Sequence, residues 1–253
     1  MRQGISHFYS FYCREVQELR VVPDGCMDLF FTYSEIGMKS YVYGTPTCFQ
    51  TQRLDGVNRA FGVRFLPGIQ PALINVRMKD MLDSRIELEN VLIGDASWLS
   101  DMETEADFFQ KIRIFLQAYS KAEKLAEPLY GKRAIAMTTK KLIYASDGKI
   151  KIGEIAEKTG YSERYIHKVF QEEMGFSPKV FCKIIQFQRM LDYLIYGEPD
   201  KIAEAAVEFG YYDQPQFIRD FRKFTGMTPK AYVKALAGRG FATRIRTNEI
   251  PED

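Results

Sequence analysis

Histidine is scarce in this chain, with two in 253 residues, His7 and His167. A metal centre built on several imidazoles is therefore out of reach, and no metal site is expected. The four cysteines, Cys13, Cys26, Cys48 and Cys182, lie far apart with no C-x-x-C pair. That excludes a disulfide framework or a zinc knuckle and makes them free thiols. No run of about 18 apolar residues occurs, so neither a transmembrane helix nor a membrane partner is expected. The N-terminus M-R-Q-G-I-S-H-F-Y lacks an apolar signal core and a small-residue cleavage site, which argues for the cytoplasm.

What is present is an internal repeat. I-G-E-I-A-E-K-T-G-Y-S from Ile152 returns about 50 residues later as I-A-E-A-A-V-E-F-G-Y-Y-D from Ile202. Ile152, Glu154, Ala156, Gly160 and Tyr161 recur as Ile202, Glu204, Ala206, Gly210 and Tyr211. After one inserted residue, Phe170, Gly175, Pro178 and Lys179 recur as Phe221, Gly226, Pro229 and Lys230. A shared period implies one structural unit used twice. The net charge of +2 divides along the same line. Residues 132–253 carry 21 Lys and Arg against 16 Asp and Glu, and the remainder carries 14 against 17. The half with the repeat is the basic half, which fits a partner bearing phosphates.

Each copy has the makings of two short helices around a turn. In the first, Ile152, Ile155 and Ala156 share a face, Gly160 can end the helix in a left-handed conformation, and Ser162 offers an N-cap to Glu163–Met174. Ile166, Val169 and Phe170 point inward there, leaving Arg164, Tyr165, His167 and Lys168 outward. In the second, Ile202, Ala206 and Val207 pack, Gly210 turns, and Asp213 caps Gln214–Phe224, with Pro215 in the first turn. Phe217 and Phe221 face inward, leaving Gln214, Gln216, Ile218, Arg219 and Arg222 free. Such pairs are helix-turn-helix units, whose second helix can enter the major groove, where Gln and Arg pair with adenine and guanine edges. Between the copies, Pro178–Tyr196 is an uninterrupted helical pattern of roughly 28 Å at 1.5 Å per residue. That is comparable to one turn of B-DNA, about 34 Å, so a rigid connector could seat both second helices in successive grooves.

These residues carry a resemblance. From roughly Ala136 to Leu236 the chain resembles the DNA-binding domain of AraC/XylS transcription regulators, most closely along G-Y-Y-D-Q-P-Q-F-I-R-D-F-R-K-F-T-G-M-T-P-K-A-Y. The resemblance implies two helix-turn-helix units flanking a linker helix. Its DNA readers would be Arg164, His167 and Lys168 in the first unit and Gln214 and Arg219 in the second. Pro215 and Gln216 are less usual occupants of their places, and Val233 follows Tyr232 where the family often has Arg. Double-stranded DNA and a second copy of the chain, as a homodimer, are the implied partners, with room for RNA polymerase as a further one.

Residues 1 to about 90 read as β-rich. R-V-V-P-D-G-C-M-D-L-F-F-T-Y, S-Y-V-Y-G-T-P and A-F-G-V-R-F-L-P-G are short β-branched and aromatic runs punctuated by Gly, Pro and Asp, which suits an antiparallel barrel or sandwich. Thr104–Lys124 then has helical periodicity, with Thr104 and Asp107 in capping-box spacing, and could pack on its own barrel or on a partner subunit. The expectation is an α+β multidomain chain. A β-rich domain with a C-terminal helix would cover 1–127 and a linker with Pro128 and Gly131 would cover 128–135. An all-α double helix-turn-helix domain would follow over 136–237, and a basic, poorly ordered tail with Arg239, Arg244 and Arg246 over 238–253.

The N-terminal half resembles a small uncharacterised, cupin-like domain found ahead of such modules, which implies a sensor of a small-molecule effector. Alternation through C-M-D-L-F-F puts Cys26, Asp28 and Phe30 on one strand face. If that face lines a cavity, Asp28 and Arg64 are the polar anchors of a ligand, and the alternative is an internal ion pair or exposed charges. Cys26 beside Asp24 and Asp28 suggests a nucleophile, but thiolate catalysis needs a base, and His7 is the only one near it in sequence. The plainer reading is a buried small hydrophobe after an Asp24–Gly25 turn, so no catalytic residue and no cofactor is expected. Two other classes of function stay open: a β-domain that binds another protein rather than an effector, and an enzyme fused to a DNA-binding module.

Overall fold

A computed structural model describes residues 4–13, 18–125, 131–196 and 206–237. The chain divides into two compact units. One comprises Met1–Arg20, Cys26–Thr45 and Thr51–Leu129, and the other comprises Val21–Gly25, Pro46–Gln50 and Tyr130–Asp253. The first is β-rich and the second helical, as the change of sequence period requires.

The β-rich unit contains β1 (Ile5–Tyr12), β2 (Glu18–Val21), β3 (Asp28–Ser34), β4 (Gly37–Tyr43), β5 (Gln50–Arg53), β6 (Arg59–Phe65) and β7 (Arg85–Glu87). They form a five-stranded sheet in the order β1-β6-β3-β4-β7 and a two-stranded sheet β2-β5. The strand pairs of the larger sheet are all antiparallel. The two-residue period of β3 sorts its side chains. Met27, Leu29 and Phe31 enter the main core with Phe61, Val63 and Phe65. Phe30 enters a second cluster with Tyr9, Phe11, Leu54 and Ala60. Gly62, opposite both Tyr9 and Phe30, must be glycine, because a Cβ there would lie 2.1 Å from the Tyr9 ring.

Two helices cover the main core, α1 (Trp98–Thr104) and α2 (Phe108–Leu125). Trp98, Leu99, Met102, Phe115 and Tyr119 are buried in it, so α2 packs on its own sheet. The expected capping box is divided between the helices. Thr104 ends α1, its hydroxyl donating to Ser100 O at 3.2 Å, whereas Asp107 alone caps α2 by accepting from Gln110 N at 2.9 Å. The sequence pattern missed α1 because its seven residues are too few to display a helical period.

The second unit is built from α3 (Lys132–Ala145), α4 (Ile152–Thr159), α5 (Glu163–Met174), α6 (Pro178–Tyr196), α7 (Gln214–Thr225) and α8 (Pro229–Ala237). Helix α3 starts inside the stretch expected as linker. Ile202, Glu204 and the tail 238–253 lie outside the described residues. Helix α6 serves two cores. Phe181 stacks with Phe170 and Phe176 on the first side, and Phe187, Met190, Leu191 and Leu194 join Phe217, Phe221 and Phe224 on the second. The α3–α4 loop is tied to α6 by Arg189 to Asp147 at 2.7 Å and Gln186 to Gly148 O at 3.1 Å. Gly148, with φ +78, leaves no space for a side chain, since a Cβ would lie 2.4 Å from Cys182 O.

Candidate nucleic-acid interface

Helices α5 and α7 are matched devices of 12 residues each. Both follow a glycine at positive φ, Gly160 at 73° and Gly210 at 84°, which an L-side chain adopts at a cost. The Ser162 hydroxyl accepts from Tyr165 N at 3.3 Å, and the Asp213 carboxylate accepts from Gln216 N at 2.6 Å. Each cap satisfies a helix N–H that has no partner within the helix. Gly175 and Gly226 close the two C-termini, both at positive φ.

Burial then decides what each helix can offer. Helix α5 buries Ile166, Val169, Phe170 and Met174, and α7 buries Phe217, Phe221, Phe224 and Thr225. All five side chains marked in the sequence, Arg164, His167, Lys168, Gln214 and Arg219, are exposed. Lys132, Lys183 and Arg189 are instead drawn into ion pairs with Glu172, Asp220 and Asp147, the first two joining helix to helix and the third joining α6 to the α3–α4 loop. Exposed guanidinium, amide and imidazole groups on a pre-formed helix can donate to phosphates and to base edges.

Three neighbours behave differently from the sequence pattern. Gln216 is not free, because its Oε1 accepts from Tyr212 N at 3.0 Å and completes the start of α7. Tyr161 and Tyr211 are partners in the repeat but not in space. Tyr161 is 43% exposed and Tyr211 5%, the latter packed in the second core against Phe217. Counted back from the caps, the counterpart of Tyr161 is Tyr212, the inserted residue, which is 90% exposed. The insertion thus leaves α7 in place and turns one tyrosine inward and the next outward. Tyr232 packs edge to face with Phe221, the ring centres 5.5 Å apart.

In the β-rich unit, Asp28 and Arg64 are brought together, and Phe30 lies 6.3 Å, ring centre to ring centre, from Tyr9. Arg64 forms a bidentate pair with Asp28, Nε to Oδ1 at 3.0 Å and Nη2 to Oδ2 at 2.8 Å. Tyr9 Oη also donates to Asp28 at 3.2 Å. Both charged side chains are 12% exposed, so the internal ion pair is what the fold forms. Phe30 and Cys26 are buried, each 2% exposed. Sequence reading missed Tyr9, whose only signal is its place in an aromatic β-run, and left His7 unplaced. Burial, together with Arg64, lowers the His7 pKa. Among the described residues, no group of three or more His, Cys, Asp or Glu is placed to hold a metal ion. None of the described helices is long and apolar enough to cross a membrane.

Residues 155–235 match the family model described as a helix-turn-helix domain, and residues 1–87 match that of a domain of unknown function. The chain is 26% identical over 113 residues to the Msm operon regulatory protein of Streptococcus mutans, covering 44% of this chain and 40% of that protein. It is 24% identical over 104 residues to YbfP of Bacillus subtilis, described as an uncharacterized HTH-type transcriptional regulator, covering 41% of this chain and 35% of that one. The chain therefore spans less than half the length of these relatives. Among solved structures, ToxT from Vibrio cholerae is similar over 92% of this chain and 99% of its own, at 12% identity and a TM-score of 0.49. The C-terminal domain of AraT from Geobacillus stearothermophilus is similar over 40% of this chain and 84% of its own, at 23% identity and a TM-score of 0.37.

Proposed function

We propose, from the premise that residues 155–235 match a helix-turn-helix domain and resemble that of AraC/XylS regulators, that this chain is a sequence-specific DNA-binding regulator of transcription. The observation that carries the reading is the pair of capped, equal-length helices, α5 and α7, with matched buried cores and unmatched exposed donors. Arg164, His167 and Lys168 read or anchor one half-site, and Gln214 and Arg219 the other. Differences in outward chemistry over a shared scaffold are what two unlike half-sites require. The test is salt-dependent binding to the DNA beside the chain's own gene. Arg219→Ala is expected to weaken specific binding by about 1–3 kcal/mol if the contact is bidentate to a base. No loss on that change removes Arg219 from the readers.

For the β-rich domain, the reading is a small-molecule sensor that also dimerises the chain, with RNA polymerase a partner of the DNA-bound form. Support comes from the sheet face that groups aromatic Tyr9 and Phe30 with the Asp28–Arg64 pair. An effector with an anionic group would compete there with Asp28 for Arg64. The thermal stability of the purified chain is to be followed against a panel of small carboxylates and aromatic acids. A ligand whose stabilising effect disappears in Arg64→Met supports the site, and stabilisation that survives that change places the ligand elsewhere. A protein-binding β-domain without an effector is the competing reading, which capture of a stoichiometric partner at this face would favour.

A further inference from the structure

We infer that Ile218 reads the C5-methyl group of a thymine, so that the half-site beneath α7 contains a thymine that uracil cannot replace. The inference rests on the DNA-reading assignment and names the chemistry of one of its contacts. On α7, Gln214, Ile218 and Arg222 follow at intervals of four residues and so share one face, with Arg219 beside them. The adjoining face is closed by Phe217 and Phe221, each 0% exposed, which sets Ile218 at the edge of the outward surface. Ile218 is 37% exposed and stands midway between an amide and a guanidinium. At 1.5 Å per residue, Gln214 and Arg222 are about 12 Å apart along the helix axis, so what faces Ile218 lies within the stretch of bases they bracket.

The major groove offers one protruding apolar group at its base edges, the thymine methyl, where cytosine has only a C5–H and the other edge groups are hydrogen-bond donors or acceptors. A branched aliphatic side chain seated among base edges has no donor or acceptor for the latter and covers the former. Counted from the N-caps, the counterpart of Ile218 on α5 is His167, which can donate and accept. The two helices therefore differ in kind at this place, and methyl dependence through this position belongs to α7's half-site alone. RNA lacks the methyl, and its major groove does not admit side chains, so the occupant is DNA.

The experiment uses the full chain and a duplex that the chain itself enriches from a random pool. Each thymine is replaced in turn by deoxyuridine, which removes only the methyl. At one thymine of one half-site, wild type should lose about fourfold in affinity, the worth of one buried methyl-sized group. Ile218→Ala should bind the thymine and uracil duplexes equally, and Ile218→Val should keep part of the discrimination. Alanine is a good helix former at this outward position, and an unfolding curve checks that the variant is folded. Indifference of wild type to uracil at every position, or full discrimination by a folded Ile218→Ala, overturns the inference. Failure to enrich any sequence overturns the DNA-reading assignment itself, before any uracil is introduced.

Discussion

Asp28 and Arg64 in the β-rich domain lie 2.8 Å apart with 12% of each side chain exposed, whereas Arg164, Lys168 and Arg219 on the helices of the other domain stand in solvent. Lys111 follows the first pattern. It is 2% exposed, donates to Tyr33 Oη and Met102 O, and sits 4.0 Å from the centre of the Tyr33 ring. Inward charges must be answered by the protein itself, so they fix structure, and a ligand reaches one only by displacing the group that already answers it. Outward charges keep their hydration until a partner replaces it, which is what a phosphate-bearing ligand does.

Substitutions can break that contrast. The largest expected effect is on the Asp28–Arg64 pair. Arg64→Met strands Asp28 and should cost the β-rich domain about 3–5 kcal/mol. Trp98, the single tryptophan of the chain, lies in that domain's core, so its fluorescence during urea unfolding reports the loss. A change below about 1 kcal/mol would place the pair among solvated surface pairs and dissolve the contrast. Next comes Arg219→Ala, which should cut specific binding by about 1–3 kcal/mol. It should leave stability within about 0.5 kcal/mol, because nothing is stranded when an exposed charge goes.

Smaller effects separate the two reading helices. Asp213→Ala and Ser162→Ala should each cost about 1 kcal/mol. The larger share should fall at Asp213, whose acceptor bond is 2.6 Å and whose start of α7 is also held by Gln216. Far-UV circular dichroism during unfolding compares the two. An equal cost would mean that the Gln216 contact adds nothing.

The last contrast is a pH dependence. Burial, aided by the Arg59 charge, lowers the Lys111 pKa to about 8 from 10.5. Between those values the unfolded chain binds the extra proton and the folded chain does not, so this group makes stability rise with pH through the window. Below about pH 8 both states are protonated and the full penalty for burying the charge remains. Buried tyrosines and Cys182, whose pKa is raised to about 11, act in the opposite sense. The wild type should therefore be compared with Lys111→Met. The difference in Trp98-reported stability should shrink as pH rises above 8, and a pH-independent difference would contradict a charged, buried Lys111.

Much of the helical domain is legible from its residues. Expected spans Glu163–Met174 and Pro178–Tyr196 are those observed, and Gln214–Phe224 stops one residue short. Ser162, Asp213, Gly160 and Gly210 hold the caps and turns assigned to them. These signals are local, since a cap or a left-handed glycine acts within a few residues of itself. The role of Gln216 was misread because exposure and capping look alike in a sequence. Thr104 was misplaced because the break between α1 and α2 depends on where Trp98, Met102 and Phe115 meet the sheet.

The sequence by itself determined the repeat, its caps and the faces that α5 and α7 would bury, because periodicity and capping are contained within about one turn of chain. Val207, read as packing beside Ala206, is instead 65% exposed. Only the tertiary structure decided which charges would be answered inside. Asp28 meets Arg64 across 36 residues, and Lys111 meets Tyr33 across 78. Tyr211 and Tyr212 exchange inside for outside through a single inserted residue. Such pairings follow from strand register and core packing, which act across the whole fold and leave no local mark on the residues that obey them.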